Sequence, residues 1–330
     1  MRLAINKTIL HQYGCVGEEK LQKEQKGTAM NTINIIWTAD KKEADRLSQE
    51  GFEPVECSFG HFGSSLGSLA MDHHGVESHR EGVALRAYRD HFGSRKDDPR
   101  FVVTGAADAD ATFAIAALCG ILPHPSRAVE FEKAPPPVKA SGIKDISTLA
   151  TLVNKVDTAP IGVRLEETEE GVTLLLWNQM SSSSQDATAF HAGVDRWRAL
   201  MSRAPKALLF AAKTEEANRV TEARKAEVIK VSDKVAVVDS ATWGFDVWYA
   251  EVAPIIVAYV ATNGNVTIGC PDIEVAEKYF GPGGLKNVFA KLEPSGWGGR
   301  EAIGGSPRGA KLTKEQAIAA AKTISEFVIR

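Results

Sequence analysis

Phe101-Val102-Val103-Thr104-Gly105-Ala106-Ala107-Asp108-Ala109-Asp110-Ala111 passes from a short apolar stretch, through a turn of small residues, into the apolar segment Ala109 to Leu118. β-branched and aromatic residues suit a buried pleated surface, and the Ala-rich run suits a helix, so the stretch reads as a strand feeding a helix. Upstream, Ile33-Asn34-Ile35-Ile36-Trp37 reads as a first strand, with Asp40 as the N-cap of a helix over Lys41 to Gln49 and Gly51 as its stop. Val83 to Phe92 reads as a further helix. Such β/α alternation predicts a parallel sheet with helices on its faces. In these sheets chemistry gathers at the carboxyl ends of the strands, which here means Thr104 to Asp110.

Further along, Ala134-Pro135-Pro136-Pro137 reads as a stiff crossing, Ile146 to Val156 as a helix and Val172 to Trp177 as a strand. The Ser181 to Ser184 run reads as a boundary, followed by a mostly helical stretch from Ala187 to Ala212 with a break at Pro205. From Lys234 the texture becomes closely spaced strands: Val235 to Val238, Val247 to Tyr249, Ile255 to Val260 and Val266 to Ile268, with Asn263-Gly264 as a hairpin turn. Helices over Glu274 to Tyr279 and Thr313 to Phe327 complete the chain. The fold class is therefore α/β: a polar extension over 1–29, a parallel-sheet domain over 30–185, a helical connector over 186–232 and a smaller α+β domain over 233–330.

With 39 Lys+Arg against 42 Asp+Glu, the net charge of -3 provides no global positive field for a long nucleic-acid track. The hydrophobic fraction of 44% supports a real core, yet no run reaches the roughly 20 apolar residues of a membrane span. Cys15, Cys57, Cys119 and Cys270 are far apart and form no C-x-x-C pair, which predicts a reduced, cytoplasmic setting. The amino terminus lacks the pattern of a signal peptide.

Two segments concentrate chemistry. Asp72-His73-His74-Gly75-Val76-Glu77-Ser78-His79, with His61 upstream, combines imidazole and carboxylate in a glycine-containing loop, a ligand set for Mn, Fe, Co or Zn. The same residues also suit a solvated polar loop. Asp108 and Asp110, at a strand end and the first turn of a helix, can hold hard cations, while simple N-capping needs only one of them. A third segment, Gly296-Trp297-Gly298-Gly299-Arg300-Glu301-Ala302-Ile303-Gly304-Gly305-Ser306-Pro307-Arg308-Gly309, offers flexible backbone N–H groups and two guanidinium groups, a composition suited to an anion.

Asp72-His73-His74 resembles the signature triplet of the DHH phosphoesterases. Asp108-Ala109-Asp110-Ala111 resembles their Asp-x-Asp-Ala turn, and the glycine-rich run is similar to the substrate loop of the DHH-associated C-terminal domain. The resemblance, spread over residues 30–330, implies two lobes with the site in the cleft between them. It implies a hydrolase with two Mn2+ ions, Mg2+ or Co2+ being substitutes, acting on a phosphodiester or phosphoanhydride in a small nucleotide, short oligonucleotide or polyphosphate. It assigns Asp108, Asp110 and His73 to metal, His74 to the scissile phosphate and Asp157, in Asp157-Thr158, to a further metal contact. Gly298, Gly299, Arg300, Gly304, Gly305, Ser306 and Arg308 would hold the substrate. A homodimer is compatible with this reading.

The chain departs from the family pattern in two respects. Asp72-His73-His74 precedes Asp108, the reverse of the family order, and Thr104 stands where a metal-binding His is usual. The bridging carboxylate of the family has no evident counterpart, and Asp40, His61, Asp72 and His79 are the candidates to complete the ligand set. Two other readings follow: a DHH-like protein that binds a nucleotide or phosphate without turnover, and a hydrolase with one metal on His61, His73, His74 and His79.

Overall fold

A computed structural model of the chain describes residues 32–59, 62–74, 81–124, 146–159, 163–181, 184–202, 206–307 and 310–329. The sequence expectations for residues 1–29, His61, His79, Pro135 to Pro137, Pro205 and Arg308 lie outside them. In the first lobe β1 (Asn34–Trp37), β2 (Glu53–Val55) and β3 (Arg100–Val103) form a parallel sheet in the order β1-β3-β2. The register pairs Trp37 and Val55 each with Val103, so all three strands end level. The indole Nε1 of Trp37 donates to Gly105 O at 2.9 Å, tying the ends of β1 and β3 together.

Alternation along β3 sets the two faces of this sheet. Val102 turns toward α1 (Lys41–Gln49), where Ala44 and Leu47 pack with Phe52, Cys57 and Phe59. Asp40 caps α1 by accepting from Lys42 N, and Gly51, at φ +93, carries the chain out of it. Phe101 and Val103 face the larger core, built by α2 (Val83–Asp90), α3 (Ala109–Leu118), α4 (Ile146–Thr158), α5 (Glu169–Met180) and α6 (Ala187–Ser202). Its centre is a Trp177–Trp197 stack with ring centroids 5.3 Å apart, and Trp197 Nε1 donates to Thr112 Oγ1.

α7 (Lys206–Arg224) leads to a sheet in the order β4-β5-β6-β7-β9-β8. Its strands are β4 (Glu227–Lys230), β5 (Val235–Asp239), β6 (Ile255–Val260), β7 (Asn265–Gly269), β8 (Gly298–Gly299) and β9 (Ile303–Gly305). Only the β5–β6 pair is parallel. Ala236, Val238, Ile256 and Ala258 pack with α8 (Phe245–Glu251) and Ala223 of α7. Val235, Val237, Ile255, Val257 and Ile268 pack instead with α9 (Ile273–Phe280), α10 (Lys286–Phe289) and α11 (Lys314–Phe327). The mixed α/β architecture read from the sequence is the one observed.

Two expected strands are helices. Val172 to Trp177 lies inside α5, whose N-cap Thr168 accepts from Gly171 N at 3.0 Å. This helix is buried from Glu170 to Trp177, so it carries no 3.6-residue periodicity, and an apolar run of this kind does not distinguish strand from helix. Val247 to Tyr249 belongs to α8, where Phe245, Val247 and Trp248 are buried and Trp248 Nε1 donates to Ala223 O. There, packing against α7 overrides the strand propensity of the aromatics. Four strands, β2, β4, β8 and β9, are too short or too glycine-rich to read from the sequence. The second sheet accordingly begins at Glu227, within the stretch expected to be a helical connector.

Candidate metal centre

Glu56 follows β2 directly, at φ +55, and its N–H donates to Met71 O at 2.8 Å. Val55 and Met71 form a parallel bridge, which sets the Asp72-His73-His74 segment alongside Glu56 at the carboxyl edge of the first sheet. Asp72 is fully buried: Oδ1 accepts from His74 N at 3.0 Å and lies 3.0 Å from His74 Nδ1, while Oδ2 accepts from Ser64 Oγ. Arg86 of α2, itself buried, donates from Nη2 to Ala70 O and Asp72 O at 2.9 and 3.2 Å, fixing the backbone that leads into His73.

With the Asp72–His74 contact, five carboxylate contacts converge on the two imidazoles. His73 Nε2 lies 2.9 Å from Asp157 Oδ2, 3.5 Å from Glu56 Oε2 and 3.8 Å from Asp110 Oδ2, and His74 Nδ1 lies 2.7 Å from Glu56 Oε2. The ligand atoms of His73, Asp110 and Asp157 all lie within 4.8 Å of one another, as do those of Glu56, His73 and His74. His73 is 2% exposed at its side chain and His74 is 38% exposed, so the second imidazole faces the open side of the cluster.

Helix termini bring the remaining acids in. Asp110, in the first turn of α3, accepts from Val83 N and Ala84 N at 2.8 and 3.0 Å and so caps α2, whose own N-cap, Gly82, has no side chain. Gly82 N donates to Asn154 Oδ1 of α4, one turn before Asp157. A Cβ on Gly82 would stand 2.7 Å from Asp110 Oδ1, which explains glycine at this position. Asp108 caps α3 by accepting from Ala111 N at 2.9 Å and lies outside both triads. Thr104, buried at the end of β3, also lies outside them.

The acids outnumber the cations that face them, and their titration shows it. Burial opposes charge on both imidazoles, yet Asp157 and Glu56 hold His73 up at about 10, and Asp72 and Glu56 hold His74 up at about 9. Burial also opposes ionisation of Asp72, but the His74 and Ser64 hydrogen bonds outweigh it and hold Asp72 down at about 2. Asp157 is likewise held below its ordinary value against burial, by His73 and Arg300. Asp110 goes the other way, raised by burial and by the charges of Asp157 and Glu56. Asp108 is raised to about 7 by the density of protein around it and by Asp157 and Glu56. The residue itself is nevertheless exposed to solvent.

The donor set fits a divalent cation. Glu56 Oε1 and Asp157 Oδ2 are buried with no hydrogen bond directed at them among the described residues, an uncommon condition for carboxylate oxygens. Mixed imidazole and carboxylate ligands suit Mn, Fe, Co or Zn. Glu56, just past the end of β2, is the site residue that sequence reading passed over. Pro54 disguises its strand, and only the burial of Val55 and the pairing with β3 reveal it.

From the second lobe, Arg300 reaches the cluster: Nη2 lies 3.1 Å from His73 Nε2 and 3.9 Å from Asp157 Oδ2. Four glycines and Ser306 of the glycine-rich segment are used by the sheet. Gly304 and Gly305 pair with β7 and with β8, which holds Gly298 and Gly299. Ser306 donates its N–H to Val266 O and accepts from Val266 N at its hydroxyl. A Cβ on Gly304 would stand 2.2 Å from Phe289 Cζ, so close packing accounts for that glycine.

No protein-family model matches the chain, and no curated protein matches it. A solved structure described as the DHH domain of a member of a family of ribosomal proteins is similar to it at 11% identity and a TM-score of 0.38, over 89% of this chain and 69% of that one. Among the described residues no helix is long and apolar enough to cross a membrane.

Proposed function

We propose that this chain is a divalent-metal-dependent phosphoesterase, with Mn2+ as its cation and a small phosphorylated molecule as its substrate. The observation that carries the reading is the convergence of Asp157, Asp110 and Glu56 on His73 Nε2, with Glu56 Oε1 and Asp157 Oδ2 buried and lacking a directed hydrogen bond. His73, Asp110 and Asp157 would hold the cation, with Glu56 between it and His74; Glu56 and Asp108 are the acids left for a second ion. A bound divalent cation polarises a phosphoryl oxygen and lowers the pKa of water.

The protein's own groups supply the rest. Asp72 and Glu56 clamp His74 Nδ1, leaving Nε2 to donate to a phosphoryl oxygen. Arg300 supplies a charge-assisted bond to the same group from the opposite lobe. In the overall step, water oxygen forms a bond to phosphorus, the ester or anhydride P–O bond breaks, and the leaving oxygen takes a proton. The test is hydrolysis of a dinucleotide, a cyclic dinucleotide and pyrophosphate with added Mn2+, comparing the wild type with Asp110→Asn and His73→Gln. Turnover of one of these by the wild type, abolished in both variants and by chelation, supports the reading. Mn2+ binding without turnover of any would instead favour a protein that binds phosphate without cleaving it.

A further inference from the structure

α2 supplies no member of the His73, Asp110 and Asp157 triad, yet it is tied to the segments that carry all three. The amides that open it are held from two helices. Gly82 N donates to Asn154 Oδ1 of α4, one turn before Asp157, while Val83 N and Ala84 N donate to Asp110 of α3. One turn further along, Arg86 Nη2 donates to Ala70 O and Asp72 O, at 2.9 and 3.2 Å. These two carbonyls bracket Met71, whose bridge to Val55 brings the His73 segment alongside Glu56. Ala70 needs the brace: its φ of +50 lies in the left-handed region, which is costly for an alanine. Among the described residues the other non-glycine residue with positive φ is Glu56, next to Val55 on the far side of the same bridge.

Arg86 is buried, and its Nε has no hydrogen-bond partner among the described residues. Its charge, which an arginine keeps throughout the working pH range, faces Glu56, Asp110, Asp72 and Glu81. A buried guanidinium with one donor unpaired is a poor way to pack a helix, since an apolar side chain would cover the same face at less cost. Resting on the metal reading above, we propose that Arg86 is a positioning residue for the cation. Through the Ala70 and Asp72 carbonyls it sets His73 Nε2 at 3.8 Å from Asp110 Oδ2 and 2.9 Å from Asp157 Oδ2, the two acids whose helices grip the start of α2. Charge and brace act on a cation with opposite sign. The guanidinium repels a divalent ion nearby, whereas the ligands it aligns attract one.

The test uses the full chain and Mn2+ alone, with calorimetry for affinity, electron paramagnetic resonance for the geometry of the bound ion and circular dichroism for the fold. Arg86→Met keeps an unbranched stem and removes charge and donors together; Arg86→Lys keeps the charge and loses the planar fork. Arg86→Met should bind Mn2+ about 10- to 100-fold more weakly than the wild type and give an altered resonance spectrum at saturation. Arg86→Lys should fall between the two. Unchanged or tighter Mn2+ binding by Arg86→Met, or weaker binding with an unaltered spectrum, overturns the positioning role and leaves the metal site standing. Should Arg86→Met fail to fold, Arg86→Lys decides: weaker binding with an altered spectrum supports the role, and wild-type affinity overturns it. Absence of Mn2+ binding by the wild type overturns the metal reading and the role of Arg86 together.

Discussion

His73 Nε2 stands 2.9 Å from Asp157 Oδ2, yet that carboxylate oxygen is buried with no hydrogen bond directed at it among the described residues. Two groups this close and this sheltered would normally settle into an aligned hydrogen bond. Under the proposed metal reading, their approach off that line suits two ligands of one cation. Asp157→Asn keeps the volume and removes the charge. Its Mn2+ affinity should fall by about 100-fold or more, beyond the roughly 10–100-fold cost of losing a supporting residue. Calorimetry measures the loss, and an unchanged circular dichroism spectrum excludes misfolding as its cause.

Metal uptake should release protons. His73, held up at about 10, carries a proton at neutral pH, and a cation binds only the deprotonated imidazole. Mn2+ affinity should therefore rise between pH 6 and pH 8. Calorimetric heats at one pH should vary with the ionisation enthalpy of the buffer; heats independent of buffer would contradict this.

The same titrations fix the stability of chelator-treated protein. The folded pKa of each imidazole lies above the ordinary value of about 6.5, so its stabilising contribution is complete below that value. It is lost as pH rises through about 9 to 10. Asp72 has the opposite sign: its contribution is present above about 3.9 and is lost as pH falls toward about 2. The melting temperature should therefore fall as pH rises from about 6.5 to about 10, and His73→Gln should flatten that limb.

Asp72→Asn separates orientation from metal binding. Asp72 grips His74 and Ser64 and belongs to neither ligand triad, so the variant should retain Mn2+ within a few-fold. Turnover should fall by roughly 10²–10⁴-fold as His74 loses its fixed orientation. Loss of metal in proportion to activity would count against this division of roles.

Gly82→Ala tests the link between helix packing and the site. The added methyl would press on Asp110 Oδ1 at 2.7 Å and push the carboxylate off the α2 amides. Destabilisation of roughly 1–3 kcal/mol in denaturant unfolding, accompanied by weakened Mn2+ binding, is the expected result. Gly304→Ala, which meets the Phe289 ring instead, should destabilise the second lobe without changing Mn2+ affinity.

Several residues of this candidate site are singled out by the sequence. Asp110, His73, His74 and Arg300 stood out because carboxylate, imidazole and guanidinium cluster on strand ends and glycine-rich turns, and β3 with α3 announced the parallel sheet. Glu56 did not stand out, because a three-residue strand containing Pro54 leaves no alternation to read. The roles of Gly304, Gly305 and Ser306 were equally hidden, since a flexible anion loop and a glycine-rich edge of a sheet have the same composition. α5 shows the same limit: a helix buried on all sides looks like a strand until its neighbours are known.

The most direct measurement is an anomalous difference map from crystals soaked in Mn2+. The account predicts a peak bounded by His73 Nε2, Asp110 Oδ2 and Asp157 Oδ2, lost in Asp157→Asn crystals. A well-ordered His73–Asp157 pair with no peak between them, or a peak that leaves these atoms unligated, would contradict it.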